Sequence, residues 1–426
     1  MAEPITVSGP ITGTDKTMTF ETGLLAPQSQ GAVVATIGRT KILMTANAEK
    51  STREGIDFFP LTVDIEEKRY AAGIIPGSVF RKEGRPSDEA ILTCRLIDRP
   101  LRPSFAEGYR NETQIIGTVL GADMHNPHDV LAINGASAAL MISGIPFEGP
   151  IGAVRLAYTA DGTWLPHPTY QEGDESTFEL VVAGRETHDG SDIAVMMVEA
   201  GGTEDSWKHY EQGAPKVTEE AIAEGLEASK TWIRESIALQ RELVAAAGVR
   251  DPLPFTPGRD YDDDVIARVR EVGGDALAAA STIADKTERN AATDAATADI
   301  KAALADEFAG REREVSAAIK AVNKQAIRAR VVNEGVRIDG RAPADIRPVS
   351  CQVALLPTAH GSGLFQRGET QVLNVTTLGT KRMDQMIDGI DPVTRKRYLH
   401  HYHFPPFSPG EPGFMRGPKR REIGHG

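Results

Sequence analysis

Cysteine is nearly absent from this chain, with only Cys94 and Cys351 in 426 residues and no C-x-x-C pair. That excludes a disulfide framework and fits a reducing compartment. Long apolar runs are also missing: none approaches the ~20 residues that span a bilayer. The start, MAEPITVSGPITGTDK, has no basic region followed by an apolar stretch, so it does not read as a secretory signal. The expected address is the cytoplasm, with no membrane partner. Positive charge is in deficit, 47 Lys and Arg against 60 Asp and Glu, for a net charge of −13. A protein that coats nucleic acid over its whole surface is thereby excluded; a local basic channel inside an acidic shell is not. What is present is ordinary for a globular protein: 40% hydrophobic and 25% charged residues. Such a length buries a substantial core without staples and implies about two to four domains.

The chain reads as α+β and falls into four parts. The first, 1–146, mixes strands with one or two helices. GAVVATIGRTKILMTANA (31–48) predicts two strands around the turn Gly38-Arg39, and QIIGTVLGAD (114–123) another strand. DVLAINGASAALMISG (129–144) predicts a tightly packed helix ending at Gly144. The second part, 147–250, opens on a hairpin with Asp161-Gly162 at its turn and continues with strands at 178–184 and 192–202. It closes with a helix over 218–248, capped by Thr218. The third part, 251–330, starts with a Pro-rich, charged linker and becomes alanine-rich. It reads either as a small helical bundle or as a solvated helical spacer, and in neither case as a carrier of chemistry. The fourth part, 331–426, is β-rich again, with strand character on both sides of Arg367-Gly368-Glu369.

Two basic clusters stand out. In SVFRKEGRPSDEAILTCRLIDRPLR, Ser87 caps a helix that Pro100 and Pro103 are expected to stop. Arg95, Arg99 and Arg102 fall at i, i+4 and i+7, on one face, while Phe80, Arg81, Lys82 and Arg85 occupy the preceding loop. An aromatic beside cations suits a stacked base with flanking phosphates. A solvated loop, with helix arginines paired to Asp88, Glu89 and Asp98, accounts for the same residues. The second cluster, GFMRGPKRREIGHG, places Arg416, Lys419, Arg420 and Arg421 within six residues; it reads as a phosphate holder or as a frayed basic tail. LHHYHF (399–404) invites a metal reading, but on a strand only His401 and His403 share a face and no second ligand pair follows. No metal ligand is assigned, and His360 in TAHGSG is read as a turn residue.

The fourth part repeats the first. GRTKIL (38–43) matches GETQVL (368–373), and Leu24-Leu25 stands where Leu355-Leu356 does. DFFPLTVD (57–64) echoes YHFPPFSPG (402–410), and FRKEGRPSDEA (80–90) echoes GPKRREIGHG (417–426). Four matches in one order indicate a duplicated unit. Within this frame, residues 58–105, 133–155, 337–350 and 360–380 closely resemble the bacterial polynucleotide phosphorylases, through FFPLTVDIEEKRYAAGIIPGSVFRKEGRPSDEAILTCRLIDRPLRPSF, INGASAALMISGIPFEGPIGAVR, RIDGRAPADIRPVS and HGSGLFQRGETQVLNVTTLGT. The style is that of actinobacterial members, some of which are called guanosine pentaphosphate synthetases.

The resemblance implies two ribonuclease-PH-like domains, joined by an all-α domain, in a homotrimer around an RNA channel. It implies 3′-to-5′ phosphorolysis of single-stranded RNA by inorganic phosphate, releasing nucleoside diphosphates, reversible to polymerisation, with Mg²⁺ as cofactor and an RNA-degradation complex as a possible setting. Arg420, Arg421 and His425 match the family's phosphorolytic site. Phe80, Arg81, Lys82 and Arg85, with Arg95, Arg99 and Arg102, match its RNA grip. The family's loop has two aromatics and then two arginines; Val79, Phe80, Arg81 and Lys82 lack one ring and one fork, which implies a weaker grip. The family's serine-rich phosphate loop, metal-organising aspartates and KH and S1 domains are expected beyond residue 426, so this chain is expected to be a C-terminally truncated version with an incomplete site. The competing expectations are a non-catalytic RNA-binding scaffold and guanosine pentaphosphate synthesis.

Overall fold

The computed structural model describes residues 3–77, 81, 83–415 and 417–426. Two compact units form: residues 1–257 with 384–426, and residues 258–383.

In the first unit, β1 (Ile5–Pro10), β2 (Thr17–Thr22), β3 (Gly31–Ile37) and β4 (Thr40–Ala48) make an antiparallel meander. The chain then runs through β5 (Leu61–Glu67), α1 (Asp88–Leu101) and β6 (Thr113–Gly121). β6 inserts beside β4, and β5 lies parallel to it at the edge, with α1 as the crossover. The sheet order is β1-β2-β3-β4-β6-β5. Ser87 caps α1 by accepting from the Ala90 N–H at 3.0 Å. As expected, the helix stops at the two prolines: Pro100 lies in its last turn, it ends at Leu101, and it tightens into a 3-10 turn over 102–104 that contains Pro103. A proline in the last turn forfeits one backbone bond to the preceding turn but leaves no further helix to distort.

α2 (Asp129–Ser143) is buried nearly all round, as its small and apolar residues demand. Gly144 ends it at φ 78°. β7 (Gly152–Tyr158), β8 (Trp164–Pro166), α3 (Tyr170–Asp174), β9 (Phe178–Glu186) and β10 (Ile193–Gly202) follow. Their strands form a second antiparallel sheet in the order β10-β9-β7-β8. α4 (Ser206–Glu211) leads to α5 (Glu219–Ala247), capped by Thr218. α2 and α5 are tied to β7 through buried polar groups. Asn134 accepts from the Ala153 N–H at 2.8 Å and from Ser236 Oγ at 2.8 Å, and Gln240 donates to the Ile151 carbonyl at 2.8 Å. Gln240 Nε2 also reaches Ser236 Oγ at 3.3 Å, while its Oε1 is left without a partner; the bonds that are made tie the two helices to this strand in one register.

The second unit opens with α6 (Asp263–Ala280), α7 (Lys286–Leu304) and α8 (Glu312–Glu334). Val265, Val269, Leu277, Ile300, Leu304, Phe308, Val315, Ile319 and Val322 form their common core. The stretch is a bundle and not a solvated spacer. β11 (Val349–Val353), β12 (Gly361–Arg367) and β13 (Thr370–Thr376) form a three-stranded antiparallel sheet. Its pairing repeats that of the first unit: Ile37↔Thr40 and Gly31↔Ala46 become Arg367↔Thr370 and Gly361↔Thr376. Both hairpins turn on a glycine at positive φ, 59° at Gly38 and 60° at Gly368. His360 sits at the turn into β12, where its Nδ1 accepts from the Leu378 N–H at 2.7 Å.

β14 (Gln385–Met386), β15 (Arg395–Lys396) and α9 (Arg420–His425) return to the first unit. Ile390 joins that unit's core, and Asp388 accepts from the Gly77 N–H at 3.1 Å. No helix among the described residues is long and apolar enough to cross a membrane.

Candidate active site

α9 is a single-turn helix begun at Lys419 and held by Glu422. The Glu422 carboxylate accepts from the Lys419 N–H at 2.8 Å and from the Phe404 N–H at 3.0 Å. One side of the turn carries Arg421 and His425, four residues apart. The segment 402–404 runs beside them. The Tyr402 ring stacks on the His425 imidazole, with centroids 4.3 Å apart and planes at 8°. Arg421 Cζ lies 5.6 Å from the centre of the Phe404 ring, inside cation–π range. The basic ending is therefore not a frayed tail.

Arg420 has a different environment. Its Nη1 donates to the Val63 carbonyl at 2.9 Å, and its Nη2 pairs with the Asp64 carboxylate at the middle of β5. That carboxylate raises the Arg420 pKa from its usual value. Arg95, on α1, lies against α9. A Cβ on Gly424 would stand 2.3 Å from Arg95 Nε, so the glycine is what lets the guanidinium lie there.

Of the expected RNA-contacting arginines, only Arg95 is thus brought to the second cluster. Arg99 pairs with Glu199 on β10. Arg102 pairs with Asp98 at 2.6 Å and donates to the carbonyls of Phe59 at 3.1 Å and Leu61 at 3.0 Å. The acid-pairing alternative accounts for Arg102 with the partner expected, and for Arg99 with a partner 100 residues away. Arg81 and Arg85 are exposed on the loop before α1. Phe80, Lys82, Val79 and Arg416 lie outside the described residues.

A part-buried set of ion pairs that no pattern in the sequence announces lies where the end of β5, the start of α2, β7 and β9 meet. Glu67 stands 3.2 Å from His128 Nε2. Arg155 pairs with Asp129, and with Glu179 at 2.6 Å. Burial alone would lower the His128 pKa, but Glu67 overrides it and raises it. Burial, and then Lys16 and Arg155, lower His167 to about 4. The gap lined by Asp129, Arg155 and His167 measures about 10 Å³, room for about one water. A gap of that size admits water and no larger ligand, and Arg155 Nε and Asn126 Oδ1 beside it lack a protein partner.

His401 and His403 have ring centroids 6.5 Å apart. No group of three His, Cys, Asp or Glu among the described residues is arranged to hold a metal ion. What sequence reasoning missed are Asp64, Tyr402, Phe404 and Glu422. The first has no sequence signal, being 356 residues from its partner. The other three lack one too, since no local pattern places the segment 402–404 beside α9.

The family profile described as 3′ exoribonuclease family, domain 1, matches this chain twice, at residues 14–146 and 345–426. That described as the RNA binding domain of polyribonucleotide nucleotidyltransferase matches residues 264–342. The polyribonucleotide nucleotidyltransferase of Acidothermus cellulolyticus is 54% identical over 411 residues, 96% of this chain and 52% of the relative. That of Kineococcus radiotolerans is 54% identical over 416 residues, 96% of this chain and 56% of the relative. That of Mycobacterium avium is 52% identical over 415 residues, 96% of this chain and 55% of the relative. The chain thus spans about half the length of the curated relatives it matches.

Proposed function

The chain belongs to the 3′ exoribonuclease family, and from that membership we propose that it supplies the RNA-facing and phosphate-facing parts of a polyribonucleotide nucleotidyltransferase. The single observation that carries this is identity above half to enzymes of that name over 96% of the chain. The reaction is phosphorolysis. An oxygen of inorganic phosphate attacks the phosphorus of the last phosphodiester; the bond from phosphorus to the 3′-oxygen of the penultimate nucleotide breaks. That oxygen takes a proton, and a nucleoside diphosphate leaves. The reverse reaction extends the RNA.

Two anions must meet for this, so the protein's task is to hold both against their repulsion. Arg421 and His425, exposed and backed by rings, are assigned to the attacking phosphate. Arg420, tied to Val63 and Asp64, is assigned to the same site as its anchored member. Phe80, Arg81, Lys82 and Arg85 are assigned to the RNA strand, with Arg95 between the two groups; Arg99 and Arg102, already paired, contribute shape more than charge. α8 exposes Lys320, Lys324 and Arg328 at four-residue intervals, a stripe suited to RNA phosphates. This assignment gives the bundle a role in binding that its composition did not announce.

As an organisation we propose a first ribonuclease-PH-like core, 1–146 and 147–250, a helical domain, 251–330, and the start of a second core, 331–426. The working form is a cytoplasmic homotrimer acting on single-stranded RNA, alone or in a degradation complex. Magnesium is the metal proposed for the reaction. The described residues do not form a site that fits it, and no step is assigned through it. The test uses the protein expressed from its complete reading frame: poly(A) should release ADP only when phosphate is supplied. Phosphate-independent release of AMP would replace this reading with hydrolysis.

A further inference from the structure

The rings of Tyr402 and Phe404 stack on α9, and the reaction as assigned so far uses neither. We propose that they are positioning residues, which set the His425 imidazole and the Arg421 guanidinium for inorganic phosphate. The inference rests on the phosphorolytic reading, since that reading supplies the ligand.

The argument begins with two periods. In an extended segment, residues two apart share a side and lie about 6.6 Å apart along the chain. In a helix, residues four apart share a side and advance about 6.0 Å. An extended Y-x-F therefore matches a helical R-x-x-x-H when the two run side by side in opposite directions. The structure has this match. Tyr402 meets His425, Phe404 meets Arg421, and the two rings are 6.4 Å apart with planes at 12°. Glu422 pins the register, because its carboxylate takes the Phe404 N–H at 3.0 Å while also taking that of Lys419. A slip of one residue would break that bond and put His401 and His403 where the rings belong.

The chemistry of the support matters as much as its geometry. A guanidinium can be held by a carboxylate or by a ring face. A carboxylate uses its N–H donors and cancels its charge, as Asp64 does to Arg420. A ring face does neither. Among the described residues no side-chain hydrogen bond is made by Arg421 or His425, so the rings fix their planes and leave their donors free. For a dianionic ligand this is the useful arrangement: charge intact, donors free, orientation set in advance.

The test measures phosphorolysis of oligo(A) against phosphate concentration, using the protein from its complete reading frame. Y402L and F404L should each raise the KM for phosphate roughly two- to fivefold, the value of one exposed cation–ring contact. The value of kcat at saturating phosphate should stay close to that of the wild type. Y402F and F404Y keep the ring and should restore the wild-type KM. Proton spectra should show the His425 ring signals displaced upfield by the Tyr402 ring current, and that displacement lost in Y402L. Unchanged phosphate KM in both leucine variants would overturn the inference while leaving phosphorolysis intact. So would a loss confined to kcat, or one that Y402F fails to restore. A wild-type protein with no phosphate-dependent release would instead remove the functional reading, and this inference with it.

Discussion

Arg420 and Arg421 are adjacent, of one type, and equally cationic in the sequence, yet the fold gives them opposite surroundings. One is clasped by Asp64 and a backbone carbonyl; the other lies on a ring with its donors free. A residue's chemistry is thus its type multiplied by its partners, and the same rule governs the histidines. His128 and His167 are both buried, but Glu67 raises the first while burial, Lys16 and Arg155 lower the second to about 4. In an unfolded chain a histidine titrates near 6.5. Between that value and about 4 the unfolded state carries a proton on residue 167 that the native state refuses. The native state therefore loses stability as pH falls through this window, by up to about 3 kcal/mol. His128 acts with the opposite sign, its contribution fading as pH rises through its elevated pKa. H167Q should shrink the difference in urea-unfolding free energy between pH 7 and pH 4.5 by about 2 kcal/mol relative to the wild type. An unchanged difference would mean that other groups set the acid limb.

At the scale of elements, the paired hairpins β3–β4 and β12–β13 allow one substitution to be compared in two settings. They share register and turn. In the first unit α2 presses so closely on β3 that a Cβ on Gly31 would stand 1.9 Å from the Ala139 carbonyl oxygen. At the corresponding Gly361 the nearest atom, Thr376 Cβ, is 3.5 Å away. G31A should therefore cost about 3 kcal/mol or more, since backbone must move, whereas G361A should stay within about 1 kcal/mol. Thermal or urea unfolding of the two variants checks this; equal costs would mean that α2 does not seat as described. The ion pairs around Arg155 belong to this scale as well. Arg155 joins the start of α2 to β9 through Asp129 and Glu179. R155M should cost about 2 kcal/mol by leaving two part-buried carboxylates without their cation, again read from urea unfolding. A cost below about 1 kcal/mol would show that water replaces it.

Over the whole molecule, the proposed RNA binding is compatible with net negative charge if cations are concentrated locally. If Lys320, Lys324 and Arg328 bind phosphates, replacing all three with alanine should weaken RNA binding alike for every sequence. It should also reduce the slope of log affinity against log salt by about 2, near 0.7 for each single-strand phosphate released. A slope that does not change would leave α8 as a solvated face. The duplication was visible at this scale before any coordinates, in Gly-x-Thr-x-[Ile/Val]-Leu at two places. The stacked pair Tyr402–His425 was not, because nothing in a linear pattern says which extended segment will lie beside a given helical turn.

What the sequence determined by itself is what short-range physics decides. Ser87 and Thr218 cap their helices, Gly38 and Gly368 turn their hairpins, and alternation sets strand register, because each depends on neighbours only a few residues away. Tertiary structure alone decided burial and pairing. β3 is enclosed by α2 and the strands beside it, while β13, of like pattern, is exposed along its whole length and β12 is only half-buried. Asp64 reaches Arg420 across 356 residues, and Arg155 finds both its carboxylates inside the fold. The reason is that desolvation and ion pairing depend on which distant segment arrives, and no local pattern encodes that arrival.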